Sequence, residues 1–412
     1  MGRGGRLKDP SVVPLAYLLT FFDTLTVGMV NPIYPMLVQS EQLGPTLFAA
    51  LQSMASFGGF VAATYFGRLS DIYGRRMAIV AACVTTFAGW ILYALGFAAD
   101  GFNPNARLWL PVVGRVLSGV GREALRGPVL AMISEDAAAS SPGDEAAATK
   151  RVAMAMATLG LGFSVGSGIG GLLVSGEGSA WRTLNVILVC ASAQLACAIL
   201  VPRDAPSKSK KKGAPSDGGL RAALLSAVAA RATCVLLLLQ VFASGSFHVY
   251  DATSALYLQD ALGYSSSERG YLLMFAGWAF AAQSFLAVPF FVKRFKGPFL
   301  LRGAYLCIFV GRFGLAAASR LPPTLTIVLS YCVLNLGQGM VHTLLKSLMS
   351  EAAGGPKRLG LMLGLLGSVE KGIGVVAPLL GGPVYTAAGP PAPAIMASLF
   401  GLCGFALTPL MS

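Results

Sequence analysis

The sequence is short of charge. Of its 412 residues 12% are charged while 55% are hydrophobic, and the mean hydropathy is +0.68. A water-soluble domain carries about 25% charged residues, so this chain cannot cover a water-facing exterior. Cysteine is sparse and badly placed for cross-linking. Cys83, Cys190, Cys197, Cys234, Cys307, Cys332 and Cys403 all fall in apolar stretches, which excludes a loop disulfide framework and CxxC metal spacing. There is no N-x-S/T acceptor and no Walker phosphate loop, so ATP drive is not expected. The N-terminus has no short apolar region followed by a small-residue cleavage site, so the first apolar segment is expected to remain as a helix. No cofactor and no metal are expected.

What is present is apolar length. A membrane-spanning helix needs roughly 20 apolar residues. Segments of that kind recur near 11–37, 44–66, 77–99, 107–134, 150–175, 182–201, 228–257, 269–292, 299–319, 323–350, 358–386 and 390–411. The 50 glycines would weaken helices in water, but small residues let membrane helices approach closely. Pro32, Pro128 and Pro378 fall inside spans, where kinks are tolerated. The expected class is an all-α membrane protein of twelve transmembrane helices in two six-helix bundles. Its expected divisions are a tail at 1–10, a first bundle at 11–201, a basic linker at 202–227 and a second bundle at 228–412.

A net charge of +13 invites a nucleic-acid reading, but its placement argues against one. Of 31 Lys and Arg, 21 fall in the N-terminal tail and in alternate loops with their adjoining helix ends, against four on the other side. That is the positive-inside pattern and predicts cytoplasmic termini, in a plasma or organelle membrane. The basic run at 208–212 is first a topology signal, with a lipid-headgroup contact as the second reading.

The halves resemble each other. Arg115, Gly119, Arg122 and Arg126 stand at offsets 0, 4, 7 and 11, and Asn335, Gly339, His342 and Lys346 repeat those offsets. Gly166-Ser-Gly-Ile-Gly170-Gly171 is echoed by Ala377-Pro378-Leu-Leu-Gly381-Gly382. These glycines and Pro378 are expected at helix contacts. The shifts of 220 and 211 residues fit a duplicated six-helix unit.

Two motifs mimic enzymes. Gly162-Phe-Ser164-Val-Gly166 matches the G-x-S-x-G nucleophile elbow, but that elbow needs a strand-to-helix turn and a reachable histidine. Gly166-x-Gly168-x-x-Gly171 fits a dinucleotide fingerprint without the preceding strand or the later acidic residue. Close helix packing accounts for both, and no enzymatic activity is expected.

Function is expected where charge is buried, because charged groups in lipid are costly and normally face a partner or a cavity. Arg115, Arg122 and Arg126 fall within about 40° of one helical face at 100° per residue, so the stripe cannot face lipid. Arg115 either ties helices together or tunes a proton site. Glu123 either lines a cavity or neutralises Arg122 or Arg126. Asp251 lies in a pathway or at the outer water interface. Lys371 reads as a local partner of adjacent Glu370, and Arg312 as structural.

The turn after the second span, Gly67-Arg-Leu-Ser-Asp71-Ile-Tyr-Gly74-Arg75-Arg76, resembles the G-x-x-x-D-x-x-G-R-[RK] signature of the major facilitator superfamily. The first span, Phe22-Asp23-Thr-Leu-Thr-Val-Gly28-Met-Val-Asn31-Pro32-Ile-Tyr-Pro35, resembles the opening helix of tetracycline-resistance-type drug:proton antiporters. Arg115 with Gly119 and Gly121 resembles that family's fourth-helix motif. The chain departs from the pattern where Arg294-Phe-Lys-Gly297 lacks the acidic residue of the second gate loop, and where Ser167 replaces an antiporter proline.

The resemblance implies a cytoplasmic gate at Gly67, Asp71, Gly74, Arg75 and Arg76. It also implies a central cavity lined by the first, fourth, seventh and tenth helices. Asp23, Arg115, Arg122, Glu123, Arg126, His248, Asp251, Asn335, His342, Lys346 and Glu370 are the candidates there. The expected function is secondary active transport of a small organic solute, proton-coupled through Asp23. The expected partners are a small-molecule substrate, protons and the lipid bilayer, with no nucleic acid, and the chain is expected to be a monomer. Two alternatives stay open: a facilitator or exchanger of organic anions clamped by Arg122, Arg126 and Lys346, and a non-transporting membrane receptor or scaffold.

Overall fold

The computed structural model describes residues 12–33, 44–98, 104–140, 145–174, 179–202, 231–352 and 356–411. The expected tail at 1–10 and nearly all of the expected linker lie outside the described residues. Twelve helices run in chain order. The first half comprises α1 (Val12–Val30), α2 (Pro45–Tyr73), α3 (Arg75–Ala98), α4 (Pro104–Ser140), α5 (Glu145–Leu173) and α6 (Ser179–Leu200). The second comprises α7 (Arg231–Asp260), α8 (Ser266–Arg294), α9 (Gly297–Ala317), α10 (Pro323–Ala352), α11 (Pro356–Ala388) and α12 (Ala392–Leu407). Helices satisfy their own backbone hydrogen bonds, which is what a chain in lipid requires. Nine of the described helices are long and apolar enough to cross a membrane.

Local chemistry sets the breaks between helices. Gly74, at φ 86°, occupies the left-handed region in the one-residue turn between α2 and α3, where a side chain is disfavoured. Gly263, at φ 70°, does the same between α7 and α8. The Ser265 hydroxyl then accepts the Glu268 N–H at 3.3 Å, and Ser265 N–H donates to Glu268 Oε2 at 2.8 Å, a reciprocal cap that starts α8. Within α8 a π-helical turn at Gln283–Ala287 disturbs the backbone ladder. There the Gln283 amide donates to the Cys332 carbonyl of α10 at 3.0 Å.

Polarity is reversed relative to a soluble protein. Large apolar side chains such as Val189 and Leu286 are 68% exposed on the outside, whereas Asp23 is 1% exposed. The outer shell therefore presents hydrocarbon to lipid, while Asp23, Arg115, Arg269 and Arg312 lie inside.

The halves have the same internal plan. In the first, α1 packs on α5 and α6, α4 on α2 and α3, and α3 on α6. In the second, α7 packs on α11 and α12, α10 on α8 and α9, and α9 on α12. Two seams join the halves, α5 against α8 and α2 against α11. The repeated glycine pair divides between these two kinds of contact. Gly170 meets the backbone of Met29 in α1, and its counterpart Gly381 meets that of Val249 in α7, both inside their own half. Gly171 meets Gly270 in α8, and Gly382 meets Thr46 in α2, both across to the other half. Gly166 packs on the Leu25 backbone, and Pro378 lies inside α11.

The seams are tight toward the end of the bundle that holds the α7–α8 turn, here the far end. Ser267 Oγ donates to the Gly171 carbonyl at 3.1 Å, and Ser164 Oγ donates to the Met274 carbonyl at 2.6 Å. Arg269, 2% exposed, donates to the Pro32 carbonyl beyond α1 at 3.3 Å and to Gln259 Oε1 at 2.7 Å. Toward the end that holds the α2–α3 turn, Gly364, Gly367 and Gly372 of α11 and Gly127 of α4 have no heavy atom within 4 Å of where a Cβ would sit. Among the described residues the hydrogen bonds and close glycine contacts between the halves lie at the far end and at mid-length.

Candidate functional site

The charged stripe of α4 and the polar positions of α1, α10 and α11 converge at mid-length. Asp23 of α1 faces Arg122 of α4, with Oδ1 to Nε at 3.4 Å and side chains 2% and 19% exposed. Neither atom has a hydrogen-bond partner among the described residues, so the two are held by charge at a loose distance. A carboxylate buried this deeply depends on its counter-ion, because removing one partner leaves an uncompensated charge in low dielectric.

One helical step along, Glu123 makes two ion pairs through a single oxygen. Its Oε2 lies 3.4 Å from Arg126 Nη1 and 2.9 Å from Lys371 Nζ. Lys371 belongs to α11, so this pair crosses between the halves. Lys371 stays within electrostatic reach of its neighbour Glu370, the local partner expected of it, while its ammonium makes the 2.9 Å contact to α4. Glu370 lies within electrostatic reach of His342 and Lys346 on α10, and also of Lys371 and Arg126. Arg122 and Arg126, at offsets 7 and 11 of the stripe, and their counterparts His342 and Lys346 thus gather in one charged region.

The offset-zero residues act differently. Arg115 Nη2 donates to Gln52 Oε1 on α2 at 2.9 Å, and its guanidinium lies 5.9 Å from the Tyr93 ring. Asn335 Nδ2 donates to the Ala276 carbonyl on α8 at 2.8 Å. Each ties the fourth helix of its half to the second. Nearer the far end, Arg312 of α9 lies 4.7 Å over the Tyr250 ring and is 2% exposed. Asp251 is exposed and within electrostatic reach of Arg312 and Arg115, which draws Arg312 into the interior charge network. His248 is half-buried beside Gly374 of α11 and Ser56 of α2.

The turn motif sits away from this cluster. Gly67 lies in α2, and the side chain of Asp71 is outside the described residues. Arg75 and Arg76 are half-buried, and Arg76 Nη2 donates to the Ile199 carbonyl at the last turn of α6 at 2.8 Å. A cation there complements the negative end of the helix dipole. Ser164, the nucleophile of the spurious elbow, spends its hydroxyl on the α8 backbone. Among the described residues no three His, Cys, Asp or Glu side chains are grouped to hold a metal.

Sequence reasoning missed Lys371 as a cross-half residue, although a signal was available. Eleven residues separate Lys371 from Gly382, about 20° apart at 100° per residue. Lys371 therefore shares the face that Gly382 turns to the opposite half. Gln52, Tyr93 and Tyr250 carried no such signal, because single polar or aromatic residues in apolar helices are common.

Apolar side chains outward, charges inward and two equivalent six-helix halves around a shared interior define a multi-pass membrane carrier. The chain belongs to the Major Facilitator Superfamily, whose family model matches residues 16–378. It is 26% identical over 402 residues to solute carrier family 67 member A1 of Homo sapiens, covering 95% of this chain and 90% of that one. It is 23% identical over 381 residues to the class B tetracycline resistance protein of Escherichia coli, covering 91% and 88%. The solved structure of the human organic anion transporter MFSD10 (TETRAN) matches with a TM-score of 0.68 at 20% identity, covering 97% and 99%. The protein is an integral membrane transporter and not an enzyme.

Proposed function

We propose that the protein is a proton-coupled secondary transporter of a small organic solute, working as a monomer with both termini in the cytoplasm. The carrying observation is the Asp23–Arg122 pair: a carboxylate at mid-depth, nearly sealed from solvent, held to its counter-ion only at 3.4 Å. A group in that position can take up and release a proton as the halves rock, since small changes in burial and in the arginine distance alter the balance between its two forms. The likeness to a tetracycline resistance protein supports a drug-like solute. On this reading the described conformation opens to the cytoplasm. The turn residues Gly67, Asp71, Gly74, Arg75 and Arg76 then lie at its mouth as the cytoplasmic gate.

The test is uptake into proteoliposomes with tetracycline and an indole series as probes. Asp23→Asn is expected to reduce uptake driven by a pH gradient at least about tenfold, equivalent to 1.4 kcal/mol, while counterflow exchange continues. Proton-driven uptake unchanged from the parent protein overturns proton coupling through Asp23.

A second reading, facilitated exchange of organic anions, is favoured by the interior charge. Arg115, Arg122, Arg126, Arg312, Lys346 and Lys371 outnumber Asp23, Glu123, Asp251 and Glu370. The named activity of the human structural relative points the same way. Uptake indifferent to the pH gradient and driven by internal anion supports this reading over the first.

A further inference from the structure

We infer that Arg126 and Lys371 form a carboxylate-binding subsite, that Glu123 occupies it while the carrier is empty, and that a monoanionic organic substrate binds by displacing Glu123. This rests on the reading of the protein as a solute carrier and supplies the substrate class and the docking point.

The geometry is that of a bound carboxylate. One oxygen, Glu123 Oε2, lies between an ammonium at 2.9 Å and a guanidinium at 3.4 Å. Charge-assisted contacts of this type are the strong ones, and an external carboxylate makes them as well as an internal one. The site is reachable: the Lys371, Glu123 and Arg126 side chains are 18%, 20% and 34% exposed although they sit at mid-helix. It also has room beside it, since no described side chain or neighbouring helix lies within 4 Å of a Cβ placed at Gly127, next to Arg126.

The charge count selects the ligand. Among the described residues, with Asp23 facing Arg122, the region keeps Arg126, Lys346 and Lys371 against Glu123 and Glu370. That is one cation in excess, and one added monoanion brings it to neutrality. A cationic ligand would increase the excess, and a neutral one would leave it uncompensated in low dielectric.

The displacement step follows from the resident carboxylate. A ligand competing with an internal group binds more weakly by the fraction of time the site is open. Glu123 therefore lowers affinity and lets the anion leave. Arg126 belongs to the first half and Lys371 to the second, so an anion between them links the two bodies that must rock.

The experiment uses the full chain in lipid nanodiscs with three probes sharing one ring system: indole-3-acetate, indole-3-acetamide and tryptamine. Calorimetry should show the anion binding tightest. Glu123→Gln should tighten indole-3-acetate about tenfold, and Lys371→Met should weaken it by a similar factor. The double variant Glu123→Gln/Lys371→Met preserves net charge and guards against misfolding; because Glu123 also pairs with Arg126, it should bind the anion between the two single variants, near the parent affinity. Parent-like anion binding in Lys371→Met, weaker or equal binding in Glu123→Gln, or a preference for the amide or amine each overturns the subsite. So does an absence of anion binding at roughly millimolar concentration. Proteoliposome uptake separates the two claims. Anion binding with the expected variant pattern but no flux of any probe sinks the carrier reading alone, whereas tryptamine flux without anion binding sinks the subsite alone.

Discussion

Arg122→Leu is expected to cost the protein about 3–4 kcal/mol of stability at pH 7, and adding Asp23→Asn should restore most of it. The single variant removes the counter-ion facing a carboxylate whose side chain is 2% exposed. Arg126 also lies within electrostatic reach of Asp23 but is engaged by Glu123 at 3.4 Å, so it compensates only in part. The carboxylate then stays charged without full compensation or takes a proton. For an ordinary aspartate that proton costs about 4 kcal/mol at pH 7 and about 1.5 kcal/mol at pH 5, which caps the penalty. Stability of Arg122→Leu relative to the parent should therefore recover as pH falls, whereas the double variant, with no carboxylate at position 23, should show no such recovery. Unfolding of the purified protein in mixed detergent micelles, followed by helical circular dichroism at the two pH values, measures both. Equal losses in the single and double variants would mean that the pair is not what holds Asp23, and proton coupling through that carboxylate would lose its physical basis.

The pair was legible in the sequence as two residues but not as a contact. Asp23 stands out because an acid in an apolar run has to be explained, and Arg122 because three arginines share one helical face. The sequence also carried the duplicated frame, through two stripes with identical offsets. What it hid was how each stripe divides its work. Arg115 and Asn335 hold neighbouring helices at 2.9 and 2.8 Å, while the lower positions of both stripes face the shared interior. Those roles depend on whether a facing helix offers Gln52 or an open gap, and no periodicity within one helix contains that information. Lys371 is the sharper case. Adjacency to Glu370 suggested a local pair, and the two do lie within electrostatic reach, yet the 2.9 Å ion pair is made to Glu123, 248 positions away in the other half. Arg312, read as structural, lies over the Tyr250 ring at 4.7 Å and within electrostatic reach of Asp251, partners that its own helix does not reveal.

Gly270→Leu is expected to abolish transport while leaving a folded protein. A Cβ at Gly270 would stand 2.7 Å from the Gly171 Cα and 2.8 Å from the Ser167 carbonyl oxygen, and both are backbone atoms that cannot swing aside. Overpacking of a tight contact typically costs 1–3 kcal/mol, and here the cost falls on one arrangement of the halves. Within each half the helices keep their own contacts, because Gly270 meets α5 of the opposite bundle. The penalty therefore acts on the equilibrium between the far-closed conformation and any conformation that separates α5 from α8. A bias of about 3 kcal/mol shifts such an equilibrium by roughly 100-fold, enough to stall a cycle that must pass through both ends. Cysteine labelling at Ser267, whose hydroxyl bonds the Gly171 carbonyl at 3.1 Å, should become faster in the variant as the seam opens. Gly303→Leu is the control, since no atom lies within 4 Å of its Cβ position and the residue is exposed on α9; it should transport and label like the parent. If Gly270→Leu transports normally, the α5–α8 seam does not have to close in the cycle, and the far-end closure cannot be the step on which alternating access turns.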